Sequence, residues 1–176
     1  MKDDVNAGAP RFRALTYLEQ GKHCYNNRRF EEALAAFDKA LAADATLTRG
    51  YTARAHALAA LGRAEEAVAL CDEVIAREPD FPFAHSTRGS ALQTLGRTAE
   101  AQRAYEQAVA LAPEDALINY NFACFWALAG DEESCRKYLA RTLELDPRRN
   151  SMAAVDLDFA AFRDRGWFQE LVAFRR

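Results

Sequence analysis

Seven side chains of this 176-residue chain are natural metal ligands or nucleophiles: Cys24, Cys71, Cys124 and Cys135, with His23, His56 and His85. The cysteines stand 47, 53 and 11 residues apart and form no CxxC. That spacing suits neither a zinc knuckle nor a dithiol redox pair, and free thiols of this kind behave as small buried apolar groups. No Gly-rich phosphate loop, nucleophile elbow or HExxH helix occurs. The paired carboxylates Glu31-Glu32, Glu65-Glu66 and Glu132-Glu133 fall where helices are expected to begin. Acidic groups there favour the positive end of the helix dipole, which accounts for them without acid–base catalysis. The chain is expected to have no catalytic residues, no metal site and no cofactor.

The elements that would position these residues follow one period. Small residues recur every 34 residues at Gly21, Ala55, Gly89 and Ala123, and again at Ala33, Ala67, Ala101 and Cys135. The series Ala40, Val74, Ala108, Thr142 and the series Ala45, Pro79, Pro113, Pro147 keep the same step. A period of this length marks stacked supersecondary units. Within each period, apolar residues at helical spacing predict two helices, near 11–25 and 30–43, 48–61 and 64–77, 82–95 and 98–111, 116–129 and 132–145. Gly62, Gly96 and Gly130 separate the two helices of three pairs, where positive φ lets the chain reverse. In the first pair Asn26-Asn27-Arg28 takes that place, and asparagine tolerates the left-handed conformation. His56 and Cys124 stand two periods apart at equivalent places, with no other ligand-type residue between them to complete a metal site. His23 and His85 fall at packing places.

Half the residues are apolar, 28% are charged and the net charge is −3, the composition of a soluble globular chain. The charge is spread along the chain, and the C-terminal arginines are too scattered to form a basic stripe, so nucleic acid is not an expected partner. The longest apolar stretch, Phe122 to Ala129, is far too short to cross a bilayer. No signal peptide is visible behind Met1-Lys2-Asp3-Asp4, and the expected location is cytoplasmic.

The repeated small residues, turn glycines and prolines resemble the tetratricopeptide repeat, with repeats beginning at Ala14, Thr48, Pro82 and Ala116. The resemblance covers residues 14 to 149. It implies an all-α fold, a right-handed α-solenoid of antiparallel helix pairs. The expected organisation is an N-terminal arm (1–13), four tandem repeats (14–47, 48–81, 82–115, 116–149) and a C-terminal helical cap (150–176). The cap carries Met152, Val155, Leu157, Phe159 and Phe162, an Asp164-Arg165-Gly166 turn, then Trp167, Phe168, Leu171, Val172 and Phe174. A terminal repeat exposes an apolar face that must be covered. The chain departs from the family pattern where leucine is common, at Gln20, Arg54, Arg88 and Phe122, and repeat 1 lacks the turn glycine and final proline.

The family binds ligands on the concave face formed by the first helix of each pair. Carried onto this chain, the groove consists of Leu18, Lys22, Tyr25 and Asn26; Arg49, Thr52 and His56; Phe83, Ser86, Ser90 and Gln93; and Tyr120 and Cys124. Leu15, Leu117 and Leu128 either line it or pack against neighbouring helices. This neutral, aromatic inventory suits a peptide or protein surface with apolar side chains, anchored by Tyr25, Phe83 and Tyr120. One version of the family grips the C-terminal carboxylate of a chaperone tail with paired cations. The matching places hold Leu18, Lys22, Ala53, Phe83 and Thr87 here, or Thr52, His56, Thr87, Leu117 and Asn121 one repeat on, and neither set supplies the cations. The expected function is a non-enzymatic adaptor. The alternative is a self-associating protein, a homodimer in which the N-terminal arm (Arg11-Phe12-Arg13) or the cap helix fills the groove of a second copy.

Overall fold

The computed structural model describes residues 8–173. Four helix pairs follow one another: α1 (Gly8–Asn26) with α2 (Phe30–Ala43), α3 (Thr48–Ala60) with α4 (Ala64–Arg77), α5 (Pro82–Thr94) with α6 (Thr98–Leu111), and α7 (Ala116–Ala129) with α8 (Glu132–Leu145). Each helix packs against its partner and against the next pair, an all-α solenoid of antiparallel hairpins. Helix α1 begins at Gly8, so residues 8–13 are its first turns rather than an arm; residues 1–7 lie outside the described residues. No helix among the described residues is long and apolar enough to cross a membrane.

The small residues permit close approach inside each hairpin, and their sizes match their partners. A Cβ on Gly21 would sit 2.3 Å from the Phe37 ring, and one on Gly89 would sit 2.9 Å from Tyr105. Where the second helix offers the smaller Cys71 or Leu139 in place of that ring, the first helix carries alanine, Ala55 or Ala123. Volume is thus conserved across the hairpin, as dense packing requires.

The turn glycines Gly62, Gly96 and Gly130 take φ of 77°, 71° and 77°. In the first hairpin the left-handed residue is Arg28, at φ 59°, and not an asparagine. Asn27 instead caps α1 by donating its side-chain amide to the His23 carbonyl at 2.7 Å. Arg54 and Arg88 answer the departure from leucine: each reaches back to the preceding hairpin, to Asp38 and Asp72, both at 2.6 Å. The series stops at Phe122, whose ring packs on Tyr105, Phe125 and Tyr138.

Second helices begin in two ways. Arg29, Arg63 and Arg97 precede α2, α4 and α6 without a side-chain cap bond and instead pair with Glu32, Glu66 and Glu100. Only α8 among them has an aspartate cap, Asp131, whose carboxylate accepts from the Ser134 amide at 2.9 Å. Asp131→Ala should therefore cost about 1 kcal/mol, read as the shift in urea midpoint. Arg97→Ala at the equivalent place should cost less, since exposed ion pairs contribute little.

Beyond α8 the period ends. A 3-10 turn (Pro147–Arg149), helix α9 (Asn150–Val155), a 3-10 segment (Leu157–Phe162) and helix α10 (Gly166–Val172) close the last pair. The 3-10 segment lies against α7, and α10 against α8 and α9. Phe159, Phe162 and Phe168 are buried with Tyr120, Ala123 and Leu139 in one cluster. Met152, Val155 and Leu157, expected to cover the end with them, point outward instead. Phe174 lies outside the described residues.

Candidate functional site

Helices α1, α3, α5 and α7 stand side by side, and the groove residues expected from sequence lie on these four helices. Four of those residues belong to the seams between helices. Leu18, Thr52, Ser86 and Tyr120 hold equivalent places and are only 2%, 7%, 2% and 5% exposed. Leu18 packs in a cluster that reaches Ala57 of α3. Thr52 donates its hydroxyl to the Arg49 carbonyl at 3.1 Å. Ser86 accepts the Asn121 side-chain amide of α7 at 3.1 Å. Tyr120 donates to the Asp156 carboxylate and meets Phe159 edge-on with ring centroids 5.7 Å apart. The 3-10 segment thus lies on α7 where the first helix of a further repeat would. Tyr120 is consequently not an open anchor.

The residues that remain accessible form a shorter surface. Lys22, Asn26 and Arg49 are exposed, and Lys22 is paired with Glu19 at 2.7 Å. Tyr25 is half-buried, 5.3 Å from the Phe30 ring and 6.5 Å from His56, and burial raises its hydroxyl pKa. His56 bonds Thr87 Oγ1 across α3 and α5 at 3.0 Å, and Thr87 donates its proton to the Phe83 carbonyl at 2.7 Å. The Thr87 hydroxyl has one proton to give, so the imidazole is assigned as the donor. Desolvation lowers the His56 pKa to about 4, so this residue is a neutral part of the floor at pH 7. Phe83 is half-buried, its ring 5.8 Å from Phe81.

Farther along, Ser90 and Gln93 line a pocket of about 490 Å³ with Thr94, Thr98, Phe125, Leu128, Ala129 and Asp158. Asp158 comes from the 3-10 segment, so this end of the groove includes a residue outside the period. Beside it, the Cys124 sulfur and one oxygen each of Asp156 and Asp158 lie within 4.8 Å of one another, the group of ligand-type atoms close enough to hold a metal ion among the described residues. Burial and the two carboxylates push the Cys124 thiol far up, which keeps it protonated. Burial and Asp156 raise Asp158. Asp156 and Asp158 were missed in sequence. Their signal was the Asp-x-Asp pair preceding Phe159, and no repeat position marked it as facing α7.

Leu117 and Leu128 of α7 are exposed. Leu15 is exposed too, but it lines a separate hollow of about 780 Å³ with Phe12, Gln20, His23 and Arg29, on a side of α1 that no residue of α3 shares.

Two tetratricopeptide repeat models match the chain, over residues 25–90 and 82–115. No curated protein matches it. Among solved structures, the thermophilic repeat protein TTC0263 of Thermus thermophilus superposes with a TM-score of 0.75 at 18% identity, covering 90% of this chain and 86% of its own. YrrB, described as having an unusual peptide-binding site, gives 0.53 at 20% identity over 90% of this chain and 82% of its own. The first repeat domain of Spaghetti (RPAP3), bound to the HSP90 peptide SRMEEVD, gives 0.56 at 24% identity over 73% and 91%. These likenesses establish a shared fold. Four hairpins in one unbroken phase, matched from residue 25 to residue 115 by the family's own models, make the chain a member of the tetratricopeptide repeat family.

Proposed function

We propose that the chain is a non-enzymatic interaction module that holds a peptide or protein segment along the face of α1, α3 and α5. The observation that carries this reading is the set of half-buried aromatic groups on α1, α3 and α5: Tyr25, with its ring 6.5 Å from His56, and Phe83, whose carbonyl accepts from the Thr87 hydroxyl that His56 bonds. Half-buried rings on rigid helices supply contact area with little entropy to lose, which is how a few residues come to dominate an interface. Membership of the family supports the reading, as do peptide-binding proteins of the same fold. Tyr25 and Phe83 are the anchors, with Asn26, Ser90 and Gln93 setting register by hydrogen bonds. The working unit is the four repeats, residues 14–149, closed by the segment from 150. The places where the family's carboxylate clamp stands do not hold its paired cations here, so the ligand is held by its side chains and not by a terminal carboxylate.

Selection of peptides from a displayed random library on the full chain tests this. Tyr25→Ala and Phe83→Ala should each weaken the selected peptides about tenfold or more, by fluorescence polarisation, with the helical circular dichroism unchanged. Peptides that bind both variants as tightly as the parent would remove the groove from the mechanism.

A further inference from the structure

The pocket at the cap end of the groove differs in chemistry from the aromatic stretch before it. One wall is apolar, from Phe125 and Leu128, and the rim carries the Ser90 and Thr94 hydroxyls and the Gln93 amide. Asp158 lines the same space, half-buried, with its carboxylate beside Cys124 and Asp156. No ion pair among the described residues uses either carboxylate: Asp156 accepts the Tyr120 hydroxyl, Asp158 accepts the Cys124 thiol, and Arg163 donates to the Asp156 backbone carbonyl at 3.0 Å. Two neighbouring carboxylates in a partly desolvated pocket repel each other, and among the described residues they are served by neutral donors and by no paired cation. The rest of the lining fits what would supply one. A long aliphatic stem can lie on Leu128 and Phe125 while its charged head reaches the carboxylate, and the hydroxyl and amide oxygens can accept the remaining N–H groups.

We propose that the segment bound in the groove carries a lysine or arginine side chain that enters this pocket and pairs with Asp158. The inference rests on the groove reading above and adds the sign of charge that the partner must present at one end. The partner is then a protein segment with an apolar side chain for Tyr25 or Phe83 and a basic residue toward the cap, the reverse in charge of a ligand held by an acidic terminus.

The probe is the set of displayed peptides that lose affinity on Phe83→Ala, each synthesised in its selected form and with its basic residue replaced by norleucine. On the parent chain the replacement should weaken binding about tenfold or more, the range of a charge-assisted hydrogen bond. On Asp158→Asn the two forms should bind alike, and Asp158→Lys should select peptides with an acid in that place. A Phe83-dependent pool without a basic residue at a constant offset overturns the proposal and leaves the groove reading standing. So does an Asp158→Asn chain that weakens both peptide forms equally, since that is the mark of a loosened cap. A pool indifferent to both Phe83 and Asp158 overturns the groove reading together with this one.

Discussion

Phe159→Ala is expected to destabilise the protein by about 3–5 kcal/mol, whereas Leu157→Ala, two residues away, should change stability by no more than about 0.5 kcal/mol. The two side chains leave the same 3-10 segment in opposite directions. Phe159 is fully buried between Tyr120 and Phe168, its ring 5.7 Å from each, whereas Leu157 is 78% exposed. Removing the Phe159 ring opens a cavity in the cluster that closes the fourth helix pair. Solenoid stability is close to a sum of repeat and neighbour terms, so the loss should be local. Hydrogen exchange should quicken in α7 and α8 while the amides of α3 and α4 keep their protection. Uniform acceleration along the chain, or equal urea midpoints for the two variants, would contradict the cap described here.

Gly21→Ala is the second large effect, and its sign is the informative part. In a helix interior this change ordinarily stabilises by about 1 kcal/mol. Here the new methyl would stand 2.3 Å from a ring carbon of Phe37, itself buried in the same cluster. Overpacking of that kind costs about 1–3 kcal/mol, so the net change should be destabilising. On a Phe37→Leu background the clash is relieved, and the same substitution should be neutral or stabilising. The coupling energy of the double-mutant cycle measures the steric term directly. A Gly21→Ala chain that melts higher than the parent would show that small residues at this place are not set by the opposing ring.

The period carried most of the fold in plain view. Helix α4 spans Ala64–Arg77, and α3 and α5 end one residue short of their expected limits. Helical boundaries were legible because the glycines and prolines that stop a helix act within a few residues of themselves. Arg28 was harder to see. Asparagine is the better intrinsic candidate for positive φ, yet the position equivalent to Gly62 imposed that conformation on an arginine. The outer end of α1 was hidden as well, because Gly8 and Pro10 read as breakers although proline is tolerated in a helix's first turn.

The candidate site was legible only in part. Helical periodicity tells which side of a first helix a residue occupies, but not whether a neighbouring first helix covers that side. Leu18, Thr52, Ser86 and Tyr120 hold equivalent places on first helices that also carry accessible residues, and each is buried.

The sequence by itself determined the hairpins and their phase, because these depend on signals inside one 34-residue unit, whereas the structure showed that Phe37 and Tyr105 fill the space over Gly21 and Gly89 within a hairpin. The tertiary structure decided which groove residues remain open and what charge waits at the cap end. His56 meets Thr87 at a separation of 31 residues, Asn121 meets Ser86 at 35, and Tyr120 meets Asp156 at 36. Contacts at that range depend on how units stack, and the last of them involves a segment outside the period. The repeat therefore specifies a stack, and the stacking specifies the surface that a partner meets.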